Sequence, residues 1–274
     1  MKTIAVVSDL HAGSTIGLCP PSVVLYEEGM YQANKYQLAL WQKWQQFWQW
    51  ARTNAGEERW LVVNGDAIEG IHHATTQIVS PNVLDHITIA ETAIRLAIEI
   101  YEPKHIFFVR GTETHTGNSA KEEEALARLF ESYVPYEKPL SRWAIWIETE
   151  NVTFHFAHHT GGWLRPWTRT GAPGRESVMM AHTAIELTRH GHLYEIPDVS
   201  IRAHQHRFND SGMATYPRVF ILPGWQLATG YIRKISPSNV PEVGGMLFNV
   251  DNGTYVPLVK RWILPHADDL HFRG

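Results

Sequence analysis

Five short apolar runs in this 274-residue chain each break off into a cluster of Asp, Glu, Thr or His. Thr3 to Val7 stops at Ser8-Asp9-Leu10-His11, Trp60 to Val63 at Asn64-Gly65-Asp66, and His105 to Val109 at Arg110-Gly111-Thr112-Glu113. Val152 to Ala157 runs into His158-His159, and Val199 to Ala203 into His204-Gln205-His206. Short runs rich in Val, Ile and Phe read as buried strands. Strands that each end in a metal-type ligand predict one convergent edge, because ligands of open α/β sheets bind beyond the carboxyl ends of the strands.

The segments between these runs have helical spacing. In Tyr36 to Arg52 the residues Leu40, Trp41, Trp44, Phe47, Trp48 and Ala51 form one stripe, which predicts a helix packed on a core; an aromatic platform for stacking nucleotides is the alternative. Leu84 to Tyr101 predicts a second helix, ended by Pro103. Ser119 with Glu122 reads as a capping box opening a helix to about Tyr133, with Ala125, Leu126, Leu129, Phe130 and Tyr133 inward. Ser177 to His190 predicts a helix closed by Gly191. Trp143 to Ala157 and Met246 to Val259 read as hairpins, the latter turning at Asn252-Gly253, and Ala12 to Asn34 as irregular loop. Strand and helix alternate first and strands dominate later. That order predicts sheets covered by helices, two of them sharing a core, in a single domain over 1–274.

Composition narrows the chemistry. Hydrophobic residues at 44% against 19% charged exclude intrinsic disorder. Apolar stretches such as Ile4 to Val7 fall far short of the roughly 20 residues that span a bilayer, and the N-terminal one is too short for a secretory signal. No membrane span and a cytoplasmic location are expected. The single cysteine, Cys19, rules out a disulfide framework and a thiolate cluster, so a metal must sit on carboxylates and on some of the 16 histidines. A net charge of −4 argues against a broad basic surface for nucleic acid.

One Asp-x-His carries little information, since a lone His after a strand is usually a surface or core residue. The ordered set carries more. If Asp9-Leu10-His11 is extended, both side chains project to one side, and the same holds for His204 and His206. The stretches SDLHAG, NGDAIEG, RGTETH, FAHH and AHQH resemble, in order, the five blocks of the calcineurin-like metallophosphoesterase superfamily, over residues 8 to 206. The resemblance implies a four-layer α/β/β/α sandwich of two mixed β-sheets flanked by helices, with a dinuclear metal centre at the strand ends. It implies that Asp9, His11, Asp66 and His206 bind one ion, and that Asp66 bridges to a second held also by His158 and His204, with His159 in reserve. In the third block the family has Gly-Asn-His-Asp/Glu, where this chain has Gly111 followed by Thr112, Glu113, Thr114 and His115. Thr112 then takes the metal-binding Asn position, Glu113 is the alternative oxygen donor, and His115 takes the acid or substrate-binding role. This GTETH form resembles phage-type members of the superfamily.

Two divalent ions sharing a water lower its pKa and clamp a phosphoryl group for in-line attack by hydroxide. Mixed His and carboxylate donors suit Mn, Fe, Zn or Ni better than Mg. Arg110, His72 and His73 are candidate substrate-binding residues, with a solvated loop as the plainer account of the two histidines. Arg165, Arg169 and Arg175, beside Trp163 and Trp167, could bind a phosphate and stack a base, or form a loop anchored by two packed indoles. His182, His190 and His192 are read as structural. The expected function is a metal-dependent phosphoester hydrolase, leaning to a phosphodiesterase acting on a nucleotide or nucleic acid. A phosphomonoesterase or protein phosphatase is the alternative, as is a non-catalytic binding subunit with a degenerate metal site.

Overall fold

A computed structural model describes residues 1–160, 171–236 and 240–264. β1 (Lys2–Val7), β4 (Glu58–Asn64), β5 (His105–Val109) and β6 (Ser141–Arg142) are parallel neighbours, and β12 (Val243–Asp251) and β13 (Thr254–Trp262) extend the sheet antiparallel on the other side of β1. The second sheet runs β10 (Asn209–Asp210), β11 (Arg218–Ile221), β9 (Val199–Arg202), β8 (Val152–Ala157), β7 (Ala144–Thr149); β8, β9 and β11 are parallel and the outer two strands antiparallel. Both sheets are mixed.

Strand alternation sorts the apolar residues into two layers. Ala5, Val7, Leu61, Val63, Ile106 and Phe108 face α1 (Lys35–Asn54), α2 (Val83–Tyr101) and α4 (Lys121–Arg128), while Ile4, Val6, Val62, Phe107 and Val109 face the second sheet. Strands apolar on both faces must be buried on both. With α5 (Gly171–Arg189) packed on β11 from the outside, the layers run α/β/β/α as the sequence predicts.

The aromatic stripe of α1 is core: Leu40, Trp44, Phe47 and Trp48 are fully buried, which excludes a stacking platform. The helix starts at a capping box, Asn34 with Gln37, which the sequence reading does not include. The helix expected from Ser119 to Tyr133 is corrected. Ser119 and Ala120 are left-handed, the serine makes no cap, and α4 spans eight residues before a short 3-10 turn at Glu131–Tyr133. Leu126 and Phe130 point inward as expected, but Ala125 and Leu129, also expected inward, are exposed. The region read as irregular loop contains a small hairpin, β2 (Ser22–Val24) with β3 (Met30–Gln32). α5 begins earlier than its apolar period suggests, at Gly171. No helix among the described residues is long and apolar enough to cross a membrane.

Beneath α5, Arg202 of β9 donates to His155 Nδ1 of β8 at 3.1 Å and pairs with Glu176 at 2.6 Å. Burial, then the Arg202 charge, push His155 down to about 3. The native chain therefore binds fewer protons here than the unfolded chain, so this stability is complete above pH 6.5 and is lost as pH falls towards 3. Urea unfolding between pH 6.5 and 5 should lose up to about 1.4 kcal/mol per pH unit through this group. His155→Gln should flatten the slope by that amount; an unchanged slope would assign the loss elsewhere.

Candidate metal centre

Because β1, β4 and β5 are parallel, their carboxyl ends share one edge, and β8 and β9 bring two more ends to it from the other sheet. The turns that follow are laced together by the backbone. Asp9 N–H donates to Gly65 O, His11 N–H to Asp66 O, Ala203 N–H to His158 O and Trp225 N–H to Asp9 O, all at 2.8 to 3.0 Å. Asp9, His11, Asp66, His204 and His206 all have positive φ, between 43° and 71°. This corrects the expected extended Asp-x-His and His-x-His spacing: the side chains meet because the chain kinks left-handed at each of them. Such residues cost on the order of 1 kcal/mol each and cluster where surroundings over-determine them, commonly at functional sites.

The kinks gather two sets of donors. Asp9, Asp66, His158 and His204 form one, and Asp9, His11 and His206 the other, with the donor atoms of each set within 4.8 Å of one another. The carboxylate common to both is Asp9, whereas the motif resemblance implies Asp66. Three imidazole nitrogens converge on Asp9 Oδ1: His206 Nε2 at 3.2 Å, His158 Nε2 at 3.8 Å and His11 Nε2 at 3.9 Å. This buried oxygen accepts no hydrogen bond, and His158 Nε2, 2.9 Å from Asp66 Oδ2, is out of line for one. His11 and His206 face each other, Nε2 to Nε2, at 3.1 Å. Buried carboxylate and imidazole atoms left pointing at a common space fit divalent cations better than they fit one another.

The outer atoms hold these rings in orientation. His158 Nδ1 donates to Asn64 O at 2.8 Å, and His11 Nδ1 to Glu69 Oε2 at 2.9 Å, which turns both Nε2 atoms to the centre. Glu69 also accepts from Gln226 Nε2 and His72 Nε2. Glu123, buried in α4, accepts from Ala67 N–H and Gly111 N–H and so ties the turn after β4 to the turn after β5. Sequence reading missed Glu69 and Glu123. The signal for Glu69 was its place three residues after Asp66 inside NGDAIEG; Glu123 gave none beyond its neighbour Glu122. A side chain at Gly111 would drive into Asp66, which explains the glycine there.

The Thr112 hydroxyl lies inside the first donor set, 3.0 Å from Asp66 Oδ2 and 3.4 Å from His204 Nδ1. The N–H and hydroxyl of Thr112 donate to the two oxygens of Asp66, at 2.6 and 3.0 Å, so it positions the carboxylate. Glu113 is exposed and belongs to neither donor set. His158 rather than His159 lies in the cluster; the His159 ring is exposed, 4.7 Å from that of His204. His115 abuts His11 edge-on at 4.5 Å and His72 at 4.6 Å, and its Nδ1 donates to Glu69 O at 2.7 Å. Arg110 donates to Ser141 Oγ and lies over Trp143. Trp163, Arg165, Trp167 and Arg169 lie outside the described residues, and Arg175 is exposed on α5. His182, His190 and His192 are exposed.

Charge follows geometry. Burial opposes ionisation of Asp66, yet His158 and His115 hold it well below the usual carboxylate range; Asp9 is likewise held low against burial by His206 and His158. Burial also opposes a charge on His158, but Asp66 and Asp9 outweigh it and raise the ring to about 10. Glu69, against its burial, is pulled to about 2 by His11 and His72. Burial and then His11 push His115 down to about 4, so its ring is neutral at pH 7 with Nε2 an acceptor. Glu123 is raised to about 7 by burial and by Asp66, against the pull of its two N–H donors.

No protein-family model matches the chain, and no curated protein matches it. Among solved structures it is similar to a dimetal phosphatase from Danio rerio, at 9% identity and a TM-score of 0.43 over 94% of this chain and 95% of that one. It is also similar to Vps29 from Entamoeba histolytica complexed with zinc, at 10% identity and a TM-score of 0.40 over 95% and 98% of the two chains. An archaeal phosphodiesterase is similar at 13% identity and a TM-score of 0.39, over 94% and 99%. Likenesses this distant transfer neither a residue nor an activity.

Proposed function

We propose that this chain is a metal-dependent phosphoester hydrolase of the calcineurin-like type that its five motifs resemble. The observation that carries the reading is the convergence of His11, His158 and His206 on an Asp9 oxygen that accepts no hydrogen bond. Asp9, His11 and His206 would hold one divalent ion and Asp66, His158 and His204 a second, with Asp9 in reach of both. Such a pair supplies a nucleophile at neutral pH and polarises the phosphoryl oxygen.

The chain's own groups do the rest. Glu69 orients His11, Thr112 and Glu123 fix the Asp66 turn, and His115, neutral and tethered through Nδ1, offers Nε2 to accept a proton. In the overall reaction the phosphorus–oxygen bond to the alcohol breaks, one to water forms, and the leaving oxygen takes up the proton that water gives up.

Within this class the preference for a phosphodiester rests on the segment rich in Arg and Trp after His159. Relative turnover of bis- and mono-p-nitrophenyl phosphate with added Mn²⁺ is the test, with the diester expected to be faster. Faster monoester turnover would reverse the preference. Tight metal binding without turnover of either ester would leave the chain a binding protein.

A further inference from the structure

Beside the donor sets lies a cleft of about 350 Å³, between the turn at Gly70–His73 and the short helix α3 (Glu113–Thr116). That volume is within the range of small-molecule sites. His115 stands at the boundary: its ring packs edge-on against His11 of the centre and also lines the cleft. Resting on the hydrolase reading above, we propose that this cleft is the leaving-group subsite, and that it takes a hydroxyl-rich alcohol bearing no negative charge, best of all an amino sugar.

The chemistry of the walls carries the proposal. His73, Thr114 and Asn118 present hydrogen-bonding groups, His72 lines the cleft with both ring nitrogens engaged by Glu69 and His73, and Ile71 and Val83 supply apolar contact, the mixture that suits a ring with hydroxyl edges. Two carboxylates, Glu113 and Glu122, complete the lining, and among the described residues it contains no Lys or Arg. Glu122 is pressed against Gly117; its Oε1 pairs with the exposed Lys121 Nζ at 3.6 Å, while its Oε2 is buried without a hydrogen-bond partner. An unpaired buried carboxylate oxygen is costly and is relieved by a donor or a cation. A second phosphate or a carboxylate on the leaving group would instead meet two like charges, which discriminates strongly against it. Among the described residues the lining holds no Trp, Tyr or Phe on which a base would stack, so a sugar-like alcohol fits better than a nucleobase.

Glucosamine, glucose and gluconate share a six-carbon frame and differ by one unit of charge each. Binding to the full-length protein is read from the imidazole NMR signals of His72 and His73, and hydrolysis from phosphate release with glucosamine 6-phosphate, glucose 6-phosphate and 6-phosphogluconate. The expected order in both is amine, neutral, acid, with about tenfold between neighbours. In Glu113→Gln and in Glu113→Gln/Glu122→Gln the ratio of amine to acid should collapse towards one, a change that general loss of activity would not produce. Equal or stronger binding of gluconate, or a ratio that survives the double substitution, overturns the subsite. If the hexoses bind in the expected order but neither these monoesters nor bis-p-nitrophenyl phosphate is cleaved, the hydrolase reading falls and the cleft's charge preference stands. Absence of any shift at His72 and His73 with all three sugars removes the subsite even if p-nitrophenyl esters are hydrolysed.

Discussion

Asp9→Asn should abolish metal-dependent hydrolysis, lowering kcat/KM for the better p-nitrophenyl ester by about three orders of magnitude, roughly 4 kcal/mol of transition-state stabilisation. The amide matches the carboxylate in size, and the backbone bonds of residue 9 to Gly65 and Trp225 do not involve the side chain, so the turn after β1 should keep its shape. What changes is charge at the one carboxylate that belongs to both donor sets. An amide oxygen is a weaker donor to a divalent cation, and its NH₂ group would face imidazole nitrogens already crowded around the old Oδ1 position. Two measurements bracket the result. Metal content after dialysis against micromolar Mn²⁺ or Zn²⁺ should fall, and the rise in Tm that metal gives the unaltered protein should vanish, since only binding to the folded form produces such a rise. Far-UV circular dichroism should not change. Activity within tenfold of the unaltered chain, or full metal content, would mean that Asp9 Oδ1 is not where the cations sit.

The strand ends were legible because burial on both faces forces long apolar runs, and a polar cluster ending such a run stands out against it. Val7 to Asp9, Val63 to Asp66 and Ala157 to His158 are transitions of that kind, and they located the edge correctly. How the side chains meet there was not legible. Spacing in an extended chain predicts that Asp9 and His11 share a face, but both are left-handed, a conformation that only glycine advertises in a sequence. Supporting groups were harder still. Glu123 is a buried carboxylate satisfied by backbone donors from distant turns, so no local pattern marks it, and Glu69, though inside NGDAIEG, takes its bonds to His11 and Gln226 from distant segments. The false capping box at Ser119 has the same origin: Ser119 and Glu122 have the right spacing, but the chain enters α4 through two left-handed residues and Glu122 turns to Gly117. Thr112 stands where the third motif placed it, its hydroxyl between Asp66 and His204, but its backbone bond to Asp66 had no signal in the sequence.

His115 is where metal binding and turnover should separate. His115→Gln removes a ring that touches His11 but belongs to neither of the two donor sets sharing Asp9, and a glutamine amide can still donate to Glu69 O as Nδ1 does now. Metal content and the metal-induced rise in Tm should therefore be retained, while kcat falls by about 10²- to 10³-fold, the usual size of a lost proton acceptor. The pH profile distinguishes this role from simple packing. Burial and the neighbouring His11 hold the ring at about 4, so in the free protein it accepts protons only as pH drops towards that value. An acid limb of kcat/KM in the unaltered chain should disappear in His115→Gln, and the residual activity should be flat there until the donor sets themselves lose metal. If instead the substitution strips the metal, His115 is held in place for the sake of His11. The third group of metal-type donors, His11, Glu69 and His115, would then be the one that matters for the ion.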